Sequence, residues 1–237
     1  LNRKDMKTKI KKNTYPQQLH KEDYFKCPIW FADAPEFVKD INKASDKYID
    51  VAKKNMQPSI NKRNKLNKIK GDLGSVYHST SLIGNPDFKV LRDYIGATSY
   101  NLLTEMGFDM KGHQLFTTEM WVQEFAKDGG GHHPLHTHWN GHMSGFYFLK
   151  ASDKTSMPLF EDPRAGNVMN LLPELDKTKI TYASSAVHYK VQPGRMIFFP
   201  SYMPHQYIVD LGIEPFRFIH WNCQAIPKGV LNVVQKK

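Results

Sequence analysis

The chain has 237 residues, of which 40% are hydrophobic and 24% charged. That is an ordinary globular balance, and the length suits one large domain or two small ones. Two cysteines, Cys27 and Cys223, exclude a disulfide framework and read as reduced thiols of an intracellular protein. The longest apolar runs, such as residues 196–199, are too short to span a bilayer. The opening residues are basic and polar, without the apolar core of a secretory signal.

The formal net charge is +10. It concentrates in residues 3–12 and 53–70, the latter with Lys62, Arg63, Lys65, Lys68 and Lys70. Clustered cations replace counterions on phosphate, which raises nucleic acid or an acidic protein as partners. Neither cluster is interleaved with aromatic rings, so a stacking platform for bases is missing. Solvated surface and a loose arm are the expected state.

Residues 1–13 are expected to be a disordered basic arm, and 14–237 a single domain with helical support over 14–112 and a β core over 113–226. The aromatic stretch 24–33 suits a first strand. Pro35 fits the first turn of a helix. Phe37, Val38, Ile41, Ala44, Tyr48, Ile49 and Ala52 recur at steps of three and four, which argues an amphipathic helix to about residue 55. Residues 55–74 are polar and basic and read as a long surface connection. A short strand is expected within 74–82. Asn85-Pro86-Asp87 marks a second helix start, continued by Phe88, Leu91, Ile95 and Leu103 to a stop at Gly107.

After Gly112 the character changes. Residues 115–126 are aromatic and β-branched and alternate as a strand does. Gly129–Gly131 break that run. Short strand-like runs follow at 135–139, 143–149, 158–161, 186–191, 195–199, 206–209 and 216–222, with turn residues between them. That spacing is the signature of an antiparallel sandwich or barrel, so the class is mainly β with supporting N-terminal helices.

The densest chemistry lies in residues 129–145, GGGHHPLHTHWNGHMSG, which hold His132, His133, His136, His138 and His142. His136 and His138 stand two apart in a strand-like run, and such residues share a face. Two imidazoles on one face can hold a metal ion, and the third ligand must come from elsewhere. His205, in FFPSYMPHQY, is the best candidate. A lone histidine is more often a core or surface residue than a ligand, and that is the expectation for His20, His78, His113, His188 and His220. Arg217 sits among aromatic residues, where its charge is costly unless it meets an anion. A carboxylate clamp, a structural salt bridge and a water-facing edge position all remain open for it.

The ordered blocks HTHWNGHMSGFYFL, LFEDPR, QPGRMIFFPSYMPHQY and FRFIHWN resemble the iron(II)/2-oxoglutarate-dependent oxygenases that start His-x-His-(x5)-Ser-Gly, a type frequent in marine bacteria and their phages. The resemblance covers residues 121–222, less than half the chain. It implies a double-stranded β-helix, or jelly roll, with supporting helices. It implies Fe(II) as cofactor and 2-oxoglutarate and O2 as cosubstrates. By position His136 matches the first metal ligand and His205 the distal one.

His138 stands where the wider superfamily carries a carboxylate. Three alternatives follow: His138 completes an all-histidine face, Asp162 supplies a carboxylate from the next strand, or only two protein ligands hold the metal. His138 is favoured. Arg217 matches the residue that pairs with the far carboxylate of 2-oxoglutarate. Ser144, Tyr147 and Arg164 are weaker candidates for the cosubstrate or substrate pocket, Tyr147 reading more simply as a packed strand aromatic. The implied reaction yields succinate and CO2 and hydroxylates an unidentified protein or small molecule, with the loop 165–186 as a cover. A homodimer through an exposed sheet edge fits such a fold. Competing readings are a cupin-like three-histidine enzyme without 2-oxoglutarate and a non-catalytic binding jelly roll.

Overall fold

The computed structural model describes residues 21–139, 141–164 and 172–230. The expected basic arm 1–13, and the first part of the expected cover loop, lie outside the described residues.

The support comes first in the chain. Strand β1 (Trp30–Asp33) leads through a single 3-10 turn into helix α1 (Val38–Asn67), thirty residues long. Its buried positions Ile41, Ser45, Ile49, Ala52 and Ile60 form one narrow stripe at helical spacing. The helix therefore runs well past residue 55, and most of the expected surface connection is helical. The stripe is sparse there, with Met56 and Ile60 on the core, which is why composition alone reads it as a loop. Pro58 lies inside the helix and forfeits a backbone hydrogen bond at a cost of about 3 kcal/mol. Burying Ile60 offsets much of that, at about 1.5–3 kcal/mol. Lys68, in the left-handed conformation at φ 55°, ends the helix. Arg63 and Asn64 then tie its last turn to the Leu73 and Gly71 carbonyls at 2.6 and 2.7 Å.

Strand β2 (Val76–His78) precedes helix α2 (Lys89–Glu105). The Asn85 side chain accepts from the Asp87 N–H just ahead of that helix, as the Asn-Pro-Asp start implied.

The β core follows as β3 (His113–Phe125), β4 (His133–His136), β5 (Met143–Lys150), β6 (Pro158–Glu161), β7 (Ala186–His188), β8 (Arg195–Pro200), β9 (His205–Tyr207) and β10 (Arg217–Pro227). Every strand pair is antiparallel. They make a six-stranded sheet in the order β1-β8-β5-β10-β3-β2 and a four-stranded sheet in the order β4-β9-β6-β7. The fold is mainly β with two helices of more than one turn among the described residues.

Strand alternation gives the large sheet two different faces. Met120, Val122, Tyr147, Met196, Phe198, Ile219 and Trp221 pack with Ile41, Ile49, Leu91 and Ile95 of the helices. The opposite face presents Trp121, Phe125, Phe146, Phe148, Phe199, Phe216 and Phe218, which pack with Phe160 and Tyr207 of the small sheet. Gly145 is required on β5 between its sheet neighbours β8 and β10: a Cβ there would overlap the Trp221 ring and the Ile197 carbonyl oxygen.

Candidate metal centre

His136 and His205 are brought together by strand pairing. They are directly opposed partners on β4 and β9, and their ring centroids lie 4.3 Å apart. His138 is placed differently from expectation. Strand β4 ends at His136, so His138 does not share a strand face with it. A turn after β4, held by the His138 N–H donating to the Ser201 carbonyl at 2.9 Å, aims the ring back. Its centroid lies 5.0 Å from that of His136 and 5.2 Å from that of His205. One ligand nitrogen from each of the three falls within 4.8 Å of the others.

The rings are oriented for coordination. His136 Nδ1 meets the Pro134 carbonyl at 2.8 Å, and His205 Nδ1 meets the Met203 carbonyl at 2.9 Å. A carbonyl only accepts, so the proton sits on Nδ1 and the Nε2 lone pair is left for a metal. His138 Nε2 is buried and has no hydrogen-bond partner among the described residues. Burial pushes the His205 imidazole down to about 3, a shift the Met203 carbonyl opposes and the neighbouring histidines reinforce. Burial, then the charge of His136, brings His138 down to about 4. Neutral imidazoles are the form that binds metal.

A second group surrounds the other side of His138. Glu119, His138 and His220 also bring ligand atoms within 4.8 Å of one another. His220 stacks on His138 at 4.6 Å and is buried with neither ring nitrogen bonded among the described residues. The Asn222 amide donates to Glu119 Oε2 at 2.5 Å and lies 3.2 Å from His138 Nδ1, while Ser144 Oγ donates to Asn222 Oδ1 at 2.5 Å. Ser144 therefore stands in a network that braces His138. Glu119 and Asn222 carry no expectation from the sequence, and His220 is expected there only as a core or surface residue. Their signal was the period of two in Glu119-x-Trp121 and His220-x-Asn222, polar groups sharing the inward face of an aromatic strand.

Arg217 is a correction. It lies on the helix face of β10, between the inward Phe216 and Phe218, and does not reach the histidines. Its guanidinium bonds Glu124 Oε2 at 2.7 Å, Asp46 Oδ1 at 2.6 Å and Asn42 Oδ1 at 2.9 Å. The buried salt bridge, open as an alternative from sequence, is what the structure forms. Burial raises the Glu124 carboxyl, but the Lys53 hydrogen bond and the charges of Arg217, Lys53 and Lys150 outweigh it and hold Glu124 below its ordinary range. Tyr147 also points to the helix face, where its hydroxyl donates to the Ala34 carbonyl at 2.7 Å, so it is the packed aromatic and not a pocket residue.

Asp162 accepts from Arg164 Nε at 2.9 and 3.1 Å. Both line a larger groove with Cys27, Tyr182 and Met203 that contains none of the three histidines. Among the described residues Asp162 joins neither ligand group. Both cysteines are free.

Beneath the histidines is a narrow internal space. Trp121, Phe146 and Phe218 form its apolar walls, and His133, His136, Tyr207 and His220 its polar ones. No lysine or arginine lines it.

Residues 119–212 match the family model described as "Putative 2OG-Fe(II) oxygenase". The matched segment contains all three histidines and stops before β10. No curated protein matches the chain in sequence. Among solved structures, AviO1 from Streptomyces viridochromogenes Tue57 superposes with a TM-score of 0.53 at 12% identity, covering 82% of this chain and 89% of that one. The non-heme alpha ketoglutarate dependent epimerase SnoN from nogalamycin biosynthesis gives 0.50 at 11% identity over 84% and 78%. The non-heme monooxygenase ThoJ, in a nickel complex, gives 0.50 at 7% over 83% and 75%. At these identities the likeness is one of fold.

Proposed function

We propose that this chain, whose residues 119–212 match the 2OG-Fe(II) oxygenase family model, is an oxygenase of that family that holds Fe(II) on His136, His138 and His205 and hydroxylates a substrate still to be identified. The observation that carries this reading is the convergence of the three ligand nitrogens, two of them freed for coordination by backbone carbonyls. The two facing sheets are the walls of a double-stranded β-helix in this reading, supported by the antiparallel order and the shared aromatic interior. The donor set fits the metal: three neutral imidazoles suit a divalent first-row ion and leave positions open for small oxygen ligands.

When bound, Fe(II) with 2-oxoglutarate and O2 supplies oxidative decarboxylation to succinate and CO2 coupled to substrate oxidation. The chain's own contributions are positional. The Pro134 and Met203 carbonyls fix two rings, and Asn222 with Glu119 braces the third. Phe146, Phe160 and Phe199 ring His205 at centroid distances of 5.5, 5.9 and 4.7 Å and exclude water behind the centre.

The test is succinate release from 2-oxoglutarate by the Fe(II)-loaded protein under air. Slow, substrate-independent release is expected from the wild type, with at least a hundredfold loss in His205→Ala. Release that is unchanged in His205→Ala would overturn the assignment.

A further inference from the structure

Helix α1 carries two kinds of surface. In its first half the lysines are matched by acids: Asp40, Asp46 and Asp50 share the helix, and Lys47 pairs with Asp87 at 2.8 Å. From residue 51 to residue 71 there are seven lysines and arginines and no aspartate or glutamate. Lys53 is taken up by Glu124 at 2.5 Å and Arg63 by the Leu73 carbonyl at 2.6 Å. The other five, Lys54, Lys62, Lys65, Lys68 and Lys70, are exposed. None of them makes an ion pair or a side-chain hydrogen bond among the described residues. The helical conformation gathers them. Lys54, Asn61 and Lys65 recur at steps of seven and four, the spacing of one helix face, with Lys62 beside them. That face lies opposite Ala52, Met56 and Ile60, which pack on the core. Lys54 and Lys65 stand about 17 Å apart along the axis, at about 1.5 Å per residue, which is the rise of about five base pairs.

We infer that this ridge binds the phosphate backbone of duplex DNA without regard to base sequence. The inference goes beyond the metal-centre reading and does not depend on it. Lysines without protein partners displace the counterions condensed on phosphate, which is the source of sequence-independent affinity. A duplex suits the ridge better than a single strand, because no aromatic residue lies between residues 49 and 76 and single strands need rings to stack on. B-form DNA offers a major groove about 12 Å wide that admits a helix, whereas the major groove of duplex RNA is deep and narrow. An acidic protein surface fits less well. Protein interfaces are built round apolar and aromatic anchors, and Leu66, the one exposed large apolar side chain described between residues 52 and 71, lies off the ridge.

The experiment titrates the full chain into a fluorescein-labelled DNA duplex of mixed sequence and reads anisotropy from about 50 to about 200 mM salt. With the five lysines on phosphates, the logarithm of the association constant should fall with the logarithm of salt at a slope of about −4 to −5. Lys54→Gln, Lys62→Gln and Lys65→Gln combined should keep the wild-type thermal midpoint. They should weaken binding roughly tenfold or more and reduce the slope by about three. The control triple, Lys89→Gln, Lys154→Gln and Lys179→Gln, removes the same net charge from lysines already paired with Asp93, Glu214 and Asp176. It should weaken binding less than about threefold. Equal losses from the two triples would mean that net charge alone acts, and would overturn the inference. So would unchanged affinity in the ridge triple, no binding by the wild type at the lowest salt, or tighter binding to single-stranded DNA, duplex RNA or polyglutamate than to the DNA duplex.

Discussion

At the scale of single residues, the roles divide by which face of β10 a side chain takes. Arg217, Ile219 and Trp221 point to the helices, while Phe218, His220 and Asn222 point to the histidines. A sequence can name Arg217 as a buried cation in need of an anion, but the anion depends on parity and register, which β10 resets between Arg217 and Phe218. Arg217→Met should accordingly cost about 3–5 kcal/mol in denaturant unfolding, because it leaves Glu124 buried with fewer partners. If that variant kept full stability, the salt-bridge role would fail. Asn222→Ala should lower Fe(II) affinity by roughly ten- to a hundredfold with the fold retained, measured by competition with a chelator. Unchanged affinity would separate the Glu119–Asn222 pair from His138.

At the scale of elements, most of the β core was legible because its strands are short, aromatic and separated by turn residues. Seven expected runs meet strands within a few residues of their bounds. Two failures have a common cause in long-range packing. Helix α1 continues to Asn67 on the strength of Met56 and Ile60 alone, too thin a stripe to stand out from its lysines. Ile60→Ala should cost about 2–4 kcal/mol and reduce helicity by circular dichroism. A loss under half a kcal/mol would mean that the second half of α1 is not anchored to the core. Strand β4 stops three residues early because His138 is drawn to Ser201, a partner no local pattern reveals. The His136–His205 pairing was readable as two candidate ligands, and the cross-strand register that joins them was not. Gly145→Ala should fail to fold, since neither the Trp221 ring nor the Ile197 carbonyl can yield to a methyl group. Soluble, cooperatively melting protein from that variant would contradict the close approach of the Trp221 ring and the β8 backbone to Gly145.

At the scale of the whole molecule, the interior is an aromatic box built around neutral imidazoles. His133 is held down to about 4 by burial and then by the charges of His136, His78 and other histidines. His138 and His205 are lowered to about 4 and about 3, and His220 well below its ordinary value, burial being the main cause in each. For these groups the folded state resists a proton that the unfolded chain accepts near 6.5. Stability of the metal-free protein is therefore complete above about pH 6.5 and falls as pH drops towards 4. The expected loss is on the order of a few kcal/mol, read as a falling thermal midpoint over that window. A midpoint independent of pH there would mean that water reaches the interior. The surface says less: no helix among the described residues is long and apolar enough to cross a membrane.

The central claim, that three imidazoles from β4, the turn after it and β9 meet on one ion, is tested most directly by X-ray absorption at the iron edge of the anaerobically loaded protein. A single iron with three imidazole ligands is expected for the wild type, and one imidazole fewer for His205→Ala. No bound iron, or an imidazole count that His205→Ala leaves unchanged, would contradict it.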